Sequence, residues 1–165
     1  MFRAFASLAD AATAPGPRVV TIGNFGVHLG HQRILEEATA LANERGWKAT
    51  ALTFDPHPTR VVAPERAPAL MTTIAQRLER FAALGLDEGL VLPFNADVAR
   101  LSPEEFARDV LAETLAARRG GRLELPFWIS RQTAIWRRCG SWARALRFRL
   151  HRSPAADSGW CRCEQ

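Results

Sequence analysis

Three short apolar runs alternate along the chain with three longer segments whose apolar residues recur every three or four positions. The short runs, at residues 18–22, 48–54 and 88–93, have the length and β-former content of buried strands. The longer segments are predicted helices, each with one apolar stripe: Ile34, Leu35, Ala38, Leu41 and Ala42; Ile74, Leu78, Phe81, Ala82 and Leu84; Phe106, Val110, Leu111 and Leu115. The predicted order is βαβαβα.

Polar and turn-forming residues mark the ends of these elements. Two helices begin with capping-box spacing, Thr73 with Gln76 and Ser102 with Glu105, and glycines follow the first two helices. Residues 1–17 end in a Pro-Gly-Pro turn and are interpreted as a lead-in without an element of its own. Residues 59–71 contain further prolines and are interpreted as a loop.

Strands and helices that alternate at these lengths predict an α/β fold with a parallel sheet covered on both faces. Ligands of such sheets bind at the carboxyl ends of the strands. The first strand ends in the sequence Gly-Asn-Phe-Gly-Val-His-Leu-Gly-His at residues 23–31, and the second ends in Asp-Pro-His-Pro at residues 55–58. Both segments are therefore candidate site loops.

Residues 23–31 combine several features that favour an anionic ligand. Glycines at 23, 26 and 30 allow a sharp turn and a close approach of the backbone to a ligand. The helix that begins near Gly30 offers free N–H groups and a positive dipole end. His28 and His31 could donate hydrogen bonds to a group whose negative charge grows during a reaction. The segment is predicted to bind phosphate.

Each of these features also has a structural interpretation. Two histidines near the start of a helix are commonly surface or capping residues, and His57 could be an incidental loop residue. In isolation these structural interpretations are favoured; the family resemblance given below favours instead two walls of one site. The apolar stripes are interpreted as core alone.

Bulk composition describes a globular chain whose charge is unevenly distributed. Hydrophobic residues make up 47% and charged residues 24% of the 165 residues, and no apolar run reaches the ~20 residues of a transmembrane helix. No convincing signal peptide is present, so a cytoplasmic protein is expected. Residues 1–117 carry a net charge of −3 and residues 118–165 a net charge of +8.

The last 48 residues differ in composition from the rest of the chain. They hold eleven arginines, four of the five tryptophans and all three cysteines. A nucleic-acid patch and a basic membrane-surface helix over 135–150 are disfavoured alternatives, and the cysteine spacing matches no recognised zinc site. We expect an α/β domain over 1–117, a poorly ordered tail over 118–165, and neither membrane nor nucleic-acid partners.

Taken together, the motifs resemble the FMN adenylyltransferase module of bacterial bifunctional riboflavin kinase/FAD synthetases, in the nucleotidyltransferase superfamily. The resemblance covers about residues 18–117 and rests on residues 21–31, 54–58, 92–95 and 101–106, which occur in the family's order. It implies a Rossmann-like fold, here incomplete at its C-terminal part, and the reaction of ATP with FMN to give FAD and pyrophosphate with Mg²⁺ assisting. FAD would be the product and FMN a substrate.

The resemblance also implies roles for individual residues. The predicted catalytic residues are His28 and His31, which would hold the ATP phosphates. The predicted ATP- and FMN-binding residues are Gly23, Asn24, Phe25 and Gly30 around the nucleotide, and Asp55, His57 and Pro58 on the adjacent substrate side. No residue is predicted to be a protein ligand of a metal, and the oligomeric state is left open.

The chain departs from the family pattern in two places. The family sequence Gly-Asn-Phe-Asp-Gly-Val-His lacks its aspartate here, because Gly26 follows Phe25 directly. The family's Gly-x-Asn-Phe-x-Phe-Gly motif is also absent. However, residues 123–128 can be encoded as CTC GAA CTT CCG TTT TGG, which reads Ser-Asn-Phe-Arg-Phe-Gly one base later. We hypothesise that translation is out of frame from about Arg118 or Gly121.

These departures leave three hypotheses open. The chain could be a working FMN adenylyltransferase, another nucleotidyltransferase of the superfamily, or an inactive fragment of such an enzyme. The riboflavin kinase domain of the family has no counterpart in the 165 residues, so riboflavin phosphorylation is not predicted.

Overall fold

The structure is a computed structural model that describes residues 1–23, 29–123 and 149–150. Within these residues the strands are β1 Arg3–Phe5, β2 Arg18–Ile22, β3 Lys48–Asp55, β4 Glu88–Pro93, β5 Ala117–Leu123 and β6 Arg149–Leu150. They form one sheet in the order β1-β4-β3-β2-β5-β6, and every neighbouring pair is parallel. The predicted α/β fold with a parallel sheet is confirmed.

Helices cover both faces of this sheet. They are α1 Leu8–Ala12, α2 Leu29–Arg45, α3 Pro58–Val62, α4 Ile74–Ala83, α5 Ala96–Arg100 and α6 Pro103–Glu105, which continues as a π-helix over Phe106–Thr114. One buried cluster joins the stripes of α2 and α4 to β2 and β3, and the other joins α1 and the π-helix to the opposite face. The apolar stripes are therefore core, as predicted, except at Ala82, which is exposed.

Both predicted capping boxes are present. The Thr73 backbone N–H donates to Gln76 Oε1 at 3.0 Å, and the Gln76 N–H donates to Thr73 Oγ1 at 3.2 Å. The same reciprocal pair joins Ser102 and Glu105, at 2.7 and 3.2 Å. Because each pair satisfies two backbone N–H groups that the helix itself leaves unbonded, four residues suffice to define the helix start.

The interpretation of residues 1–17 as a lead-in is wrong. Strand β1 pairs with β4, with Arg3 opposite Glu88, and Phe5 is buried in the core. Ser7 caps α1 by accepting the N–H of Asp10 at 3.1 Å. A strand of three residues and a helix of five residues are too short to show a hydrophobic period. Their structure is therefore decided by pairing with β4 and by packing in the core.

Residues 59–71 are not wholly a loop either. Helix α3 begins at Pro58, and a 3₁₀ helix spans Pro64–Arg66. Proline is compatible with the first turn of a helix because its missing N–H would have no helical acceptor there. Helix α5 after β4 was not predicted either; Asn95 caps it by accepting the N–H groups of Asp97 and Val98.

Strand order reverses at β2. The chain moves from β2 to β3 and then β4 on one side, whereas β5 returns to the other side of β2. Such a switch point opens a crevice at the carboxyl end of the strand, where open α/β sheets bind ligands.

Strand β5 crosses the boundary that the sequence predicts between residues 117 and 118. The predictions for residues 24–28, 124–148 and 151–165 lie outside the described residues.

Candidate active site

The carboxyl end of β2 lies beside a longer β3. The Gly23 N–H donates to the carbonyl of Leu52 at 3.1 Å, and Ile22 is paired in register with Leu52. Strand β3 continues for three more residues to Asp55, which adds roughly 10 Å of extended chain. The end of β3 therefore stands as a wall beside the segment that leaves β2.

Helix α2 begins where that segment ends. Gly30 is exposed in its first turn, whereas His31 is only 9% exposed. The dipole of this 17-residue helix makes its first turn favourable for an anion. Of the other predicted residues in the segment, Gly23 is buried at the strand end, and Asn24, Phe25 and His28 lie outside the described residues.

The wall formed by β3 carries the other predicted residues. The Asp55 side chain is exposed, while its carbonyl accepts the Phe94 N–H at 3.0 Å. Pro58 is buried as the first residue of α3. His57 caps this helix, because its Nδ1 accepts the Thr59 N–H at 3.2 Å. The backbone on both sides of Asp55 and His57 is thus held by hydrogen bonds.

This capping contact defines the chemical state of His57. An Nδ1 atom that accepts a hydrogen bond carries no proton, so in the neutral ring the proton is on Nε2. Burial lowers the pKa of His57 below its usual value, and the positive charges of Arg77 and Arg60 lower this pKa further. At neutral pH His57 is therefore an uncharged donor through Nε2–H.

Arg77 is the neighbouring residue that sequence reasoning missed. Its side chain lies on α4 and is 3% exposed. Nη1 donates to Thr53 Oγ1 at 2.9 Å, Nε donates to Thr72 Oγ1 at 3.4 Å, and Nη2 donates to the Thr72 carbonyl at 3.4 Å. Burial lowers the pKa of Arg77, and the nearby charge of Asp55 opposes this shift.

One sequence signal could have identified Arg77. It lies three positions after Ile74 and one before Leu78, so it falls within the apolar stripe of α4. A charged residue in a buried stripe needs polar partners in the fold. Those partners are on β3 and in the segment before α4, and no local pattern links them to Arg77.

The predicted site residues that the structure describes thus share one edge of the sheet: Gly23, Gly30, His31, Asp55, His57 and Pro58 all lie at or after the carboxyl ends of β2 and β3. Within the described ranges, no group of three His, Cys, Asp or Glu residues could hold a metal ion. None of the helices in the described part of the chain is long and apolar enough to cross a membrane.

Comparisons with known proteins identify relatives of this chain. The bifunctional riboflavin kinase/FMN adenylyltransferase of Listeria monocytogenes is 36% identical over 96 residues, which are 57% of this chain and 31% of that protein. The Bacillus subtilis protein of the same name is 37% identical over 90 residues, covering 53% and 28%. A Geobacillus thermodenitrificans protein named putative bifunctional riboflavin kinase/FMN adenylyltransferase is 38% identical over 101 residues, which are 61% of this chain and 54% of that protein.

These alignments span only part of the relatives. The chain covers less than a third of the Listeria and Bacillus proteins. Among solved structures, a crystal structure titled macrolide-efflux protein from Streptococcus pneumoniae has a TM-score of 0.62, covering 73% of this chain and 48% of that one. At 23% identity, that match shows a shared fold alone.

The family comparison covers most of the described residues. The FAD synthetase family profile matches residues 11–119, a span that runs from α1 into β5 and contains both walls of the candidate site. The resemblance of the site motifs, the parallel sheet with its switch at β2, and this match agree. The chain belongs to the FAD synthetase family.

Proposed function

We propose that this chain is an FMN adenylyltransferase, which transfers the adenylyl group of ATP to FMN. The family match over residues 11–119 carries the proposal, because it includes every predicted site residue. The relatives are named for the same activity, together with a riboflavin kinase activity that is not proposed here. ATP and FMN are the proposed substrates, and no nucleic-acid or membrane partner is proposed.

The proposed reaction balances as a single transfer. A phosphate oxygen of FMN forms a bond to the α-phosphorus of ATP, the bond from this phosphorus to the bridging oxygen breaks, and pyrophosphate leaves. The protein's task is to position the two substrates and to neutralise the charge on the transferring group. The reaction therefore needs hydrogen-bond donors from the protein more than a covalent nucleophile.

The chain supplies such donors on both walls. His28, His31 and the first turn of α2 would face the ATP phosphates, with Gly23, Asn24, Phe25 and Gly30 shaping the nucleotide pocket. Asp55, His57 and Pro58 would line the FMN side. The exposure of Asp55 and the half-burial of His57 support this assignment, since both side chains can meet a ligand.

Mg²⁺ is proposed to enter with ATP. The ion is usually held by one or two carboxylates and by substrate phosphates, so a dedicated cage of protein ligands is unnecessary. Asp55 is the carboxylate among the predicted site residues and is exposed at the edge, which fits this kind of binding. When bound, Mg²⁺ would neutralise phosphate charge. A small biosynthetic enzyme of this kind is proposed to act in the cytoplasm.

Incubation of the purified full-length chain with ATP, FMN and Mg²⁺ tests the proposal. We expect FAD and pyrophosphate in equal amounts, measured by chromatography and a coupled pyrophosphate assay, with the Bacillus subtilis relative as positive control. Riboflavin in place of FMN should give no product. Pyrophosphate release with a different acceptor but not with FMN would instead identify another nucleotidyltransferase.

Two sequence observations favour the second candidate, an inactive fragment. The loop at 23–31 is one residue shorter than the family pattern, and the composition changes abruptly after residue 117. A chain that folds cooperatively yet releases no pyrophosphate with any acceptor would support this candidate and reject the enzyme.

A further inference from the structure

Residues 67–73 form an exposed segment that joins the 3₁₀ helix to α4. Residues 68–71 are all exposed, and they make no hydrogen bond in the part of the chain that the structure describes. At one end of the segment the Ala67 N–H donates to the Pro64 carbonyl at 3.2 Å, and at the other end Thr73 caps α4. The position of the segment is therefore set by contacts at its two ends.

Arg77 supplies contacts at the second end. Its Nε donates to Thr72 Oγ1 and its Nη2 to the Thr72 carbonyl, both at 3.4 Å, and its Nη1 donates to Thr53 Oγ1 on β3 at 2.9 Å. None of the carboxylates in the described ranges lies within 4.0 Å of this buried guanidinium. A buried cation with neutral partners costs free energy that an apolar residue of the stripe would not cost. Packing alone therefore does not account for Arg77, whose contacts join the segment to β3.

These contacts place the segment at the edge of the sheet that carries the candidate site. Thr53 lies two positions before Asp55, the last residue of β3. Because Arg77 in the first turns of α4 contacts Thr53, the start of α4 lies level with the end of β3. Residues 67–73 reach α4 at this same edge. The segment is thus attached to the wall that β3 forms.

Exposed apolar side chains concentrate at the same edge. Of the large hydrophobic residues that are exposed in the described ranges, all except Met1 follow the carboxyl ends of β2 and β3: Leu29, Val61, Val62, Leu70 and Met71. Leu70 is 40% exposed and Met71 is 82% exposed. Apolar side chains exposed along the edge of a polar site indicate a ligand with an apolar part as well as a charged part.

We propose that Arg77 is a positioning residue that fixes residues 67–73 beside the end of β3, where Leu70 and Met71 form an apolar wall for the ring system of the acceptor substrate. This inference rests on the proposed function, which makes that acceptor FMN. Attachment to β3 assigns the segment to the FMN side, and apolar side chains suit the flat flavin ring better than the ATP phosphates. The anchoring by Arg77 does not depend on any substrate.

Limited proteolysis of the full-length chain tests the anchoring. Chymotrypsin cleaves after leucine, and mass spectrometry of the fragments gives the rate of cleavage after Leu70. This rate should rise about tenfold in Arg77→Gln, because the segment is no longer bonded to β3. Arg77→Lys, which keeps the charge and a donor, should recover part of the difference. Arg80→Gln, at an exposed site one turn further along α4, is the matched control and should change nothing.

A second cleavage site separates local release from global unfolding. Leu35 is fully buried in α2, so cleavage after Leu35 requires the domain to unfold. The ratio of the rate at Leu70 to the rate at Leu35 should therefore rise in Arg77→Gln. Thr72→Val removes the Oγ1 acceptor but keeps the shape of the side chain and the carbonyl contact. It should raise the same ratio by a smaller factor.

Binding of FMN tests the wall. Quenching of flavin fluorescence gives the Kd of FMN without any need for turnover. Met71→Ser removes exposed apolar surface and should raise this Kd about fivefold, whereas Met71→Leu keeps an apolar side chain and should stay near the parent value. Arg77→Gln should raise the Kd of FMN as well and leave the KM for ATP near that of the parent chain.

The outcomes distinguish this proposal from the proposed function. An unchanged ratio of cleavage rates in folded Arg77→Gln overturns the anchoring, and if that variant does not fold, an unchanged ratio in Thr72→Val overturns it. A parent-like Kd of FMN in Met71→Ser overturns the wall. A parent chain that neither binds FMN nor forms FAD rejects the proposed function, and the cleavage rates then decide the anchoring by themselves.

Discussion

Arg18 on β2 donates from Nε to Oε2 of Glu88 on β4 across 2.6 Å, although β3 lies between the two strands. The same carboxylate oxygen accepts the hydroxyl of Thr50 on β3 at 2.8 Å. The other guanidinium nitrogens donate to carbonyls before β2 and at the end of the last helix, those of Ala11, Ala14 and Leu115. This buried ion pair fastens the first 17 residues to the amino ends of the strands, the edge opposite the candidate site.

Loss of one partner of this pair should strongly destabilise the fold. In Glu88→Gln the Arg18 guanidinium stays buried without its carboxylate, which typically costs about 3–5 kcal/mol of unfolding free energy. Urea unfolding followed by circular dichroism measures the change. The control is the pair of exposed Lys48 and half-buried Asp87, whose Nζ and Oδ1 atoms lie 3.2 Å apart: Lys48→Gln should cost less than about 1 kcal/mol. Equal losses in the two variants would contradict the structural role of Arg18.

Removal of the Thr73 cap should cost less. Thr73→Ala leaves the Gln76 N–H without its acceptor at the start of α4, and such substitutions cost about 1 kcal/mol. The same urea experiment measures it. Glu79→Ala, on the exposed face of α4, should stay within about 0.5 kcal/mol of the parent chain. A Thr73→Ala chain as stable as Glu79→Ala would show that the capping box contributes nothing.

Stability should depend on pH through His57. Its pKa in the folded chain lies below the ordinary value of 6.5, so in the interval between the two pKa values the unfolded chain binds more protons. The contribution of His57 is therefore complete above 6.5 and decreases as the pH falls toward the folded pKa. Urea midpoints at about pH 7.5 and about pH 5.5 measure this slope. His57→Asn should reduce the difference between the two urea midpoints. A His57→Asn chain with the same difference as the parent chain would argue against the lowered pKa of His57.

Both histidines of the first loop should be required for turnover. Removal of one donor to developing charge commonly costs about a hundredfold to a thousandfold, so His28→Ala and His31→Ala should each lose at least this much FAD formation. Circular dichroism checks that each variant is folded, and His31→Gln checks the effect of volume at a buried position. Arg33→Ala, exposed and loosely paired with Glu36 at 3.7 Å on the same helix, is the control. Near-normal FAD formation by His28→Ala or by His31→Ala would reject the site.

The coding DNA should reveal the origin of the tail. If translation is out of frame after about residue 118, the bases that encode Leu123–Trp128 read Ser-Asn-Phe-Arg-Phe-Gly one base later. Sequencing of the gene checks this directly. Restoration of the frame should increase FAD formation if the parent chain is weakly active. Codons incompatible with the shifted motif would reject the frame hypothesis and leave the family assignment untouched, because the match ends at residue 119.

Local signals were sufficient for the centre of the fold. Strands β2, β3 and β4 and helices α2 and α4 were predicted because period, cap and turn residues lie within a few positions of one another. The edge that carries the candidate site followed from the same reasoning, since the carboxyl ends of parallel strands share one edge. The sequence by itself therefore determined the fold class and the family, and it predicted the two candidate site loops.

Tertiary structure decided what depends on distant partners. Strand β1 and helix α1 are held by β4 and by Arg18, whose partner Glu88 is 70 positions away. The place of β5 beside β2 likewise depends on pairing across the whole domain. Arg77 joins the site wall only because α4 packs its stripe against β3 and places the guanidinium at Thr53. Short elements and buried charges obtain their hydrogen-bond partners from the fold, so no local pattern could identify them.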